Sequence, residues 1–244
     1  MTRNKLRQLI MIGMLVAIGV VLSEVLSISY PTRANTVLRF SIGYMPIIIA
    51  GLLFGPLYGA AAGIIQDLLG FFLFSPDAFQ IGYTLNAMLY GLIPGLLFRK
   101  TWKDENRIFY ILNYFLAGAF LLATVWYFFN IEAVYSTRLT DPEKYILAAV
   151  ALFGAVSLLA MNFILHRKPA ENQPPFKMWF MLTLLYMITS LVLTPIWLYI
   201  ANPALSLWVR LPIRIIKMPI DIAIYAFLLP KMLKLTTKIV KKEE

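Results

Sequence analysis

The sequence of 244 residues has no cysteine and a single histidine, His166. Without cysteine there is no disulfide, no thiol nucleophile and no thiolate metal ligand, and one histidine supplies little imidazole for catalysis. Charged residues make up 14% of the chain, whereas hydrophobic residues make up 60%. Classical hydrolases and metalloproteins are therefore disfavoured, and we expect no catalytic residue, metal or cofactor.

The hydrophobic residues form runs that are too long for a soluble core, so the sequence predicts an all-α, multi-pass membrane protein. The net charge of +10 raises the possibility of nucleic acid, but the lysines and arginines lie mainly at the ends of the apolar runs. The positive-inside rule explains these basic residues better, so no nucleic acid is expected as a partner. We expect the protein to lie in the cell membrane with both termini in the cytoplasm. The predicted helices, about eight in number, cover residues 8–28, 41–54, 57–74, 82–98, 108–129, 145–165, 178–200 and 206–229.

A ridge of glycines and a buried acid mark the second and third predicted helices. Small residues at every fourth position allow helix backbones to approach closely in lipid, and here they are followed by Asp67 near the bilayer midplane. A helix break is expected at Gly55-Pro56, since the residue before proline is disfavoured in a helix. Asp67 is interpreted equally well as a functional residue or as half of a structural ion pair. The ridge comprises Gly51, Gly55, Gly59 and Gly63.

The last predicted helix carries a polar stripe at positions that share one helical face. Pro212 and Pro219 interrupt this segment, and Pro219 cannot donate a hydrogen bond to the carbonyl of Ile215. We expect Lys217 to pair with Asp67 across the bundle. A purely structural network that includes Glu24 is the alternative. The stripe comprises Arg210, Arg214, Lys217 and Asp221.

Two blocks of sequence together resemble a known family, the substrate-binding S components of energy-coupling factor (ECF) vitamin transporters, most closely the folate-specific branch. The first block reads RFSIGYMP at 39–46 and continues through GP at 55–56, DLLG at 67–70 and TLNA at 84–87. The second reads TPIWL at 194–198 and LPIRIIKMPI at 211–220. With the first helix, they cover somewhat more than half of the chain.

The resemblance implies a single membrane domain with a core of about six helices, at 1–107 and 178–244, and an inserted helical hairpin at 108–177. It also implies three partners, a transmembrane coupling protein and two ATPases. The chain has no GxxxxGK[ST] loop of its own, so no ATP chemistry is assigned to it. Gly13 and Ala17 on the first helix match the small residues that contact the coupling protein. The predicted function is therefore capture of folate, or a related vitamin, for ATP-driven uptake, and the chain is not expected to be an enzyme.

The site residues follow from the chemistry of folate. Arginine or lysine can pair with its two carboxylates, Asp67 or Asn86 suits the amino edge of the pterin, and Tyr44 or Tyr30 can stack on the rings. The segment FQIGY at 79–83 departs from the folate branch, so an S component for another metabolite is an alternative, as is a proton-coupled carrier. An intramembrane lipid enzyme is disfavoured, because no HExxH or catalytic carboxylate pair is found. The predicted substrate-binding residues are Arg39, Tyr44, Asp67, Asn86, Arg210, Arg214 and Lys217.

Overall fold

A computed structural model describes residues 3–30, 38–75, 78–99, 105–129, 176–201 and 211–242, with scattered helical positions between 145 and 163. The chain divides into two compact units. Unit 1 comprises residues 1–101 and 225–244, and unit 2 comprises residues 102–224. Their boundary falls within the last helix.

The predicted helical membrane architecture is confirmed. Five helical stretches among the described residues are long and apolar enough to cross a membrane, and a shorter apolar helix accompanies them. In chain order the helices are α1 (Arg3–Val20), α2 (Met45–Phe54), α3 (Pro56–Phe74), α4 (Ile81–Arg99), α5 (Glu105–Phe129), α6 (Phe176–Tyr186), α7 (Thr194–Ala201) and α8 (Leu211–Lys242). The predicted span at 145–165 lies mostly outside the described residues.

The break between α2 and α3 occurs where the sequence predicts it. Gly55 has a φ of 96°, in the left-handed region that favours glycine, and Pro56 is the first residue of α3. Two helices therefore follow one another with a single residue between them. This tight turn lets α2 and α3 pack together and against α4.

The first helix ends earlier than predicted, and two short strands follow it. A π-helical turn, Val21–Val25, extends α1. Two short strands, β1 (Ile28–Tyr30) and β2 (Leu38–Phe40), then pair antiparallel with Ser29 opposite Arg39. The sequence does not predict this pair of strands, because a three-residue strand has no clear alternation of apolar and polar residues.

In unit 2, α5 packs against α6 through aromatic rings and a buried amide. The rings of Phe109 and Phe180 lie 5.3 Å apart, and Asn113 donates to the carbonyl of Phe176 at 3.1 Å. The helix predicted at 178–200 begins instead at Phe176, so it includes Lys177. Lys177 is buried in α6 with its Nζ 5.7 Å from the centre of the Phe109 ring, since its long apolar stem packs with neighbouring helices.

The last two predicted helices also differ at their ends. Helix α6 passes through a π-helical stretch, Met187–Leu193, into α7, where the Thr194 hydroxyl donates to the carbonyl of Thr189 at 2.6 Å. Irregular backbone of this kind is expected before Pro195, which has no N–H group. Helix α8 continues to Lys242 instead of ending near Leu229, because its lysine-rich part also has good helix propensity.

Candidate functional site

The central feature of unit 1 is a crossing of α3 and α4 at backbone contact. A Cβ on Gly63 would collide with the carbonyl of Ala87, and Cβ atoms on Gly59 and Gly91 would each collide with the other glycine's carbonyl. Gly51 of α2 meets the Gly91 carbonyl in the same way. The predicted role of the glycine ridge in close helix packing is thus confirmed for Gly51, Gly59 and Gly63, with α4 as a principal partner, whereas a Cβ on Gly55 would meet nothing within 4 Å.

This crossing brings Asp67 to Thr84. Moving away from the Gly63–Ala87 contact, Asp67 lies one turn along α3 and Thr84 about one turn back along α4. The Thr84 hydroxyl donates to Asp67 Oδ2 at 2.6 Å, and Thr84 is buried. A carboxylate inside the helix bundle is therefore held by a charge-assisted hydrogen bond that fixes its orientation.

A second carboxylate lies on the same side of α3. Glu24 belongs to the π-helical turn of α1, and its Oε1 would be 3.5 Å from a Cβ on Gly70. Gly70 is three residues beyond Asp67 and shares its helical face. The sequence predicts Glu24 as part of an alternative structural network and not as a site residue. Its approach to α3 depends on how α1 packs, which local sequence does not specify.

A buried amide joins α1, α3 and the segment before α2. Gln66 is 3% exposed and donates from Nε2 to the carbonyl of Gly43 at 3.0 Å. Its Oε1 has no hydrogen-bond partner among the described residues and faces Gly19, where a Cβ would collide with it. Gln66 therefore supports the segment that carries Tyr44. Sequence reasoning missed this residue, although an amide next to Asp67 in an apolar helix is itself a signal.

The other predicted residues of unit 1 lie on a second side of α4. Tyr44 stacks on Tyr90 with ring centres 4.3 Å apart and planes 1° from parallel. Asn86 is buried and shares a face of α4 with Tyr90, whereas Thr84 lies about 200° away around the helix. Asp67 and Asn86 are thus on different sides of α4. Arg39 lies in β2, at the end of the hairpin that leads to Tyr44.

The charged stripe of α8 begins in unit 2. Lys217 Nζ lies 2.8 Å from Asp221 Oδ2 in a largely buried pair, and Tyr186 donates from its hydroxyl to the carbonyl of Arg214 at 3.2 Å. Arg214 is half-buried, and Arg210 lies outside the described residues. The predicted Asp67–Lys217 pair concerns residues of both units and stays a prediction. Asp67 already contacts Thr84 in unit 1, and Lys217 already contacts Asp221 in unit 2.

The carbonyl that Pro219 leaves without its helical donor has a close neighbour. A Cβ on Gly154 would lie 2.9 Å from the oxygen of Ile215. The helix carrying Gly154 therefore approaches α8 at backbone distance, where any larger residue would press on the freed carbonyl. The sequence predicted the free carbonyl but not its neighbour.

Helix α1 has one packed face and one open face. Residues including Ile12, Val16 and Gly19 are buried, whereas Gly13 and Ala17 are exposed, and a Cβ on Gly13 would meet nothing within 4 Å. Large apolar side chains surround the two small residues on the open face. These neighbours are Leu6, Leu9, Ile10, Met14 and Ile18.

The chain resembles a known family and known proteins. Residues 3–157 match the family described as the S component of the ECF-type riboflavin transporter. Over 176 residues the chain is 24% identical to the folate transporter FolT of Clostridium novyi (strain NT), covering 70% of this chain and 99% of that protein. It is also 31% identical over 99 residues to FolT of Leuconostoc mesenteroides subsp. mesenteroides, covering 41% of this chain and 50% of that protein.

The fold itself has a solved counterpart. The crystal structure of FolT bound with folic acid superposes with a TM-score of 0.52 and 20% sequence identity, covering 95% of both chains. At this level of identity the likeness concerns the fold.

Proposed function

Because the chain belongs to the family of ECF-type riboflavin transporter S components, we propose that it captures folate at the outer face of the membrane for ATP-driven uptake. An S component is a substrate-binding transport subunit and not an enzyme, and it works with other components of an ECF transporter. The observation that carries the choice of folate is the alignment with a protein named as a folate transporter over 99% of that protein's length.

The charges of the membrane segments favour folate over riboflavin. Folate carries two carboxylates near neutral pH, whereas riboflavin has no ionised group, and α8 places Arg214 and Lys217 within its first two turns. The guanidinium group of an arginine can bind a ligand carboxylate through two parallel hydrogen bonds. Arg214 is thus proposed to bind a glutamyl carboxylate, and Arg210 and Arg39 are proposed as further cationic groups for the ligand.

The pterin end of the ligand is assigned to Asp67. Asp67, held by Thr84, presents a carboxylate that can accept hydrogen bonds from the amino group and ring N–H of a pterin. Asn86 and the Tyr44–Tyr90 pair lie on the other side of α4, so they are proposed as the alternative pterin surface to Asp67. An isoalloxazine ring offers two carbonyl acceptors beside one N–H, so this acceptor-rich arrangement suits a pterin better.

The partners are proposed to be a transmembrane coupling protein and two ATPases. The open face of α1, with Gly13 and Ala17, has the small residues that permit a close helix crossing. Both termini are assigned to the cytoplasm, since basic residues flank the first span and follow the last. The sequence has no phosphate-binding GxxxxGK[ST] loop, so the ATPase activity must come from other chains.

The decisive experiment combines ligand identification with titration. We expect mass spectrometry of small molecules that remain with the purified protein to detect folate, and calorimetric titration to give much tighter binding of folate than of riboflavin. Tighter binding of riboflavin would reject the folate assignment while leaving the family intact. Folate uptake by proteoliposomes that contain this chain alone would instead favour a secondary carrier.

A further inference from the structure

The end of α8 carries a row of lysines that the transport function does not use. We propose that this lysine stripe, formed by Lys231, Lys234 and Lys238, binds the anionic headgroups of phospholipids at the membrane surface. The sequence continues the same spacing with Lys241 and Lys242, and it has no acidic residue between Asp221 and Glu243.

The length of α8 places the stripe beyond the apolar part of the bilayer. A helix of 32 residues is about 48 Å long, whereas the hydrocarbon core is about 30 Å thick. About 20 residues from Leu211 suffice to cross that core, which brings the chain to Lys231. The remaining turns thus lie at the level of the headgroups or beyond them.

The two faces of this segment differ sharply. Lys231, Lys234 and Lys238 are exposed and fall within an arc of about 60° around the helix. Leu229, on the opposite side, is fully buried. The lysine stripe therefore points away from the body of the protein.

Apolar side chains border the stripe, as a lipid surface requires. Leu235 is 62% exposed and Ile239 is 51% exposed, and both lie next to the lysines on the helix surface. At the first residue of the lysine stripe, Lys231 Nζ lies 3.4 Å from the centre of the Phe227 ring. An aromatic ring that directs an ammonium group towards the interface is a typical arrangement at this depth.

Charge complementarity selects the ligand. Each lysine near an anionic membrane surface contributes about 1 kcal/mol of binding, and the attraction is weakened by salt. Exposed leucine and isoleucine beside the lysines can contact acyl chains, while the ammonium groups contact phosphates. An acidic surface of a protein partner would satisfy the charges but would leave these apolar side chains without an equivalent environment.

The proposal can be tested with the full-length protein in detergent. Native mass spectrometry would count phosphatidylglycerol and phosphatidylcholine retained from an equal mixture of the two lipids. We expect the wild type to retain phosphatidylglycerol preferentially, and the triple variant Lys231→Gln, Lys234→Gln, Lys238→Gln to lower that preference at least about tenfold. The triple arginine variant should keep it, and a Lys5→Gln, Arg7→Gln variant, which removes the exposed Lys5 and the half-buried Arg7 from α1, serves as the charge control.

Thermal unfolding in phosphatidylcholine alone, expected to be equal for all variants, shows that each protein is folded. Equal retention of phosphatidylglycerol by the wild type and the triple glutamine variant would overturn the proposal. Unchanged lipid retention together with lost association with the energising subunits would identify a protein surface instead, and would equally overturn it. A loss of preference in the α1 control as large as in the triple variant would reduce the effect to overall charge.

Discussion

Thr84 of α4 donates its hydroxyl hydrogen to Asp67 of α3 across a distance of 2.6 Å. This contact is made possible by glycines one turn away, since Gly63 lets α3 approach the Ala87 carbonyl of α4. The position of the carboxylate is thus set by backbone packing and one hydroxyl group. Substitutions of Gly63 and of Thr84 should therefore have separate, measurable effects.

Replacing Thr84 by valine should weaken the site and the fold together. The variant leaves a carboxylate inside the bundle without its hydroxyl donor, at a cost of about 1–3 kcal/mol. The unfolding temperature and the folate affinity of Thr84→Val should both fall. Thr84→Ser keeps the hydroxyl donor and should remain close to the wild type in both. Unchanged stability and affinity in Thr84→Val would show that this hydrogen bond contributes neither to the fold nor to folate binding.

The glycine crossing predicts a contrast between two alanine substitutions. Gly63→Ala forces a methyl group into the Ala87 carbonyl and should destabilise the protein by about 1–3 kcal/mol. Gly118→Ala is the matched control, because a Cβ there meets nothing within 4 Å, and it should be neutral or slightly stabilising. Unfolding temperatures in the same detergent compare the two. Equal effects would contradict the tight crossing of α3 and α4.

The open face of α1 predicts a selective loss of assembly. Gly13→Trp or Ala17→Trp should prevent binding of the coupling protein while folate binding persists, since bulk blocks a close helix crossing. Phe115→Trp, at an exposed position of α5, adds a similar ring elsewhere and should leave assembly unchanged. Pull-down of the energising subunits measures the first effect and calorimetry the second. Intact complexes in both α1 variants would exclude this face.

Arg214 should contribute a carboxylate contact to folate binding. We expect Arg214→Ala to weaken binding by about 2–5 kcal/mol, as is usual when one member of a buried charge pair is removed. Titration with folate, and with a pterin that lacks the glutamate, separates the roles, because the short ligand should not distinguish Arg214→Ala from the wild type. Wild-type folate affinity in Arg214→Ala would remove the residue from the site.

Lys217 and Asp221 should behave as one structural unit. Removing either partner leaves a poorly solvated charge and should destabilise the protein by about 3–5 kcal/mol, while the double replacement Lys217→Met, Asp221→Leu should restore much of the stability. A double-mutant cycle on thermal unfolding measures the coupling. Additive effects would indicate that the 2.8 Å contact has no energetic importance.

Local features were predicted well, and features that depend on packing were not. The Gly55-Pro56 break and the shared face of Arg214, Lys217 and Asp221 follow from neighbouring residues and helical periodicity, so the sequence suffices for them. The contact of Gln66 with Gly43 and Gly19 joins segments far apart in the chain, and no local pattern specifies it. Lys177 illustrates the same limit, since a lysine beside a proline-rich loop is normally solvated until a neighbouring helix covers it.

The hydrogen bond from the Tyr225 hydroxyl to the Ser41 carbonyl, at 3.1 Å, has a consequence for biosynthesis. Unit 1 is made of residues 1–101 and 225–244, so its last helical segment leaves the ribosome about 120 residues after the others. At ordinary rates of translation this interval is roughly 6 to 25 s. During that time the helices of the first hundred residues must remain inserted without the segment that completes them, and the Ser41 carbonyl must wait for its donor.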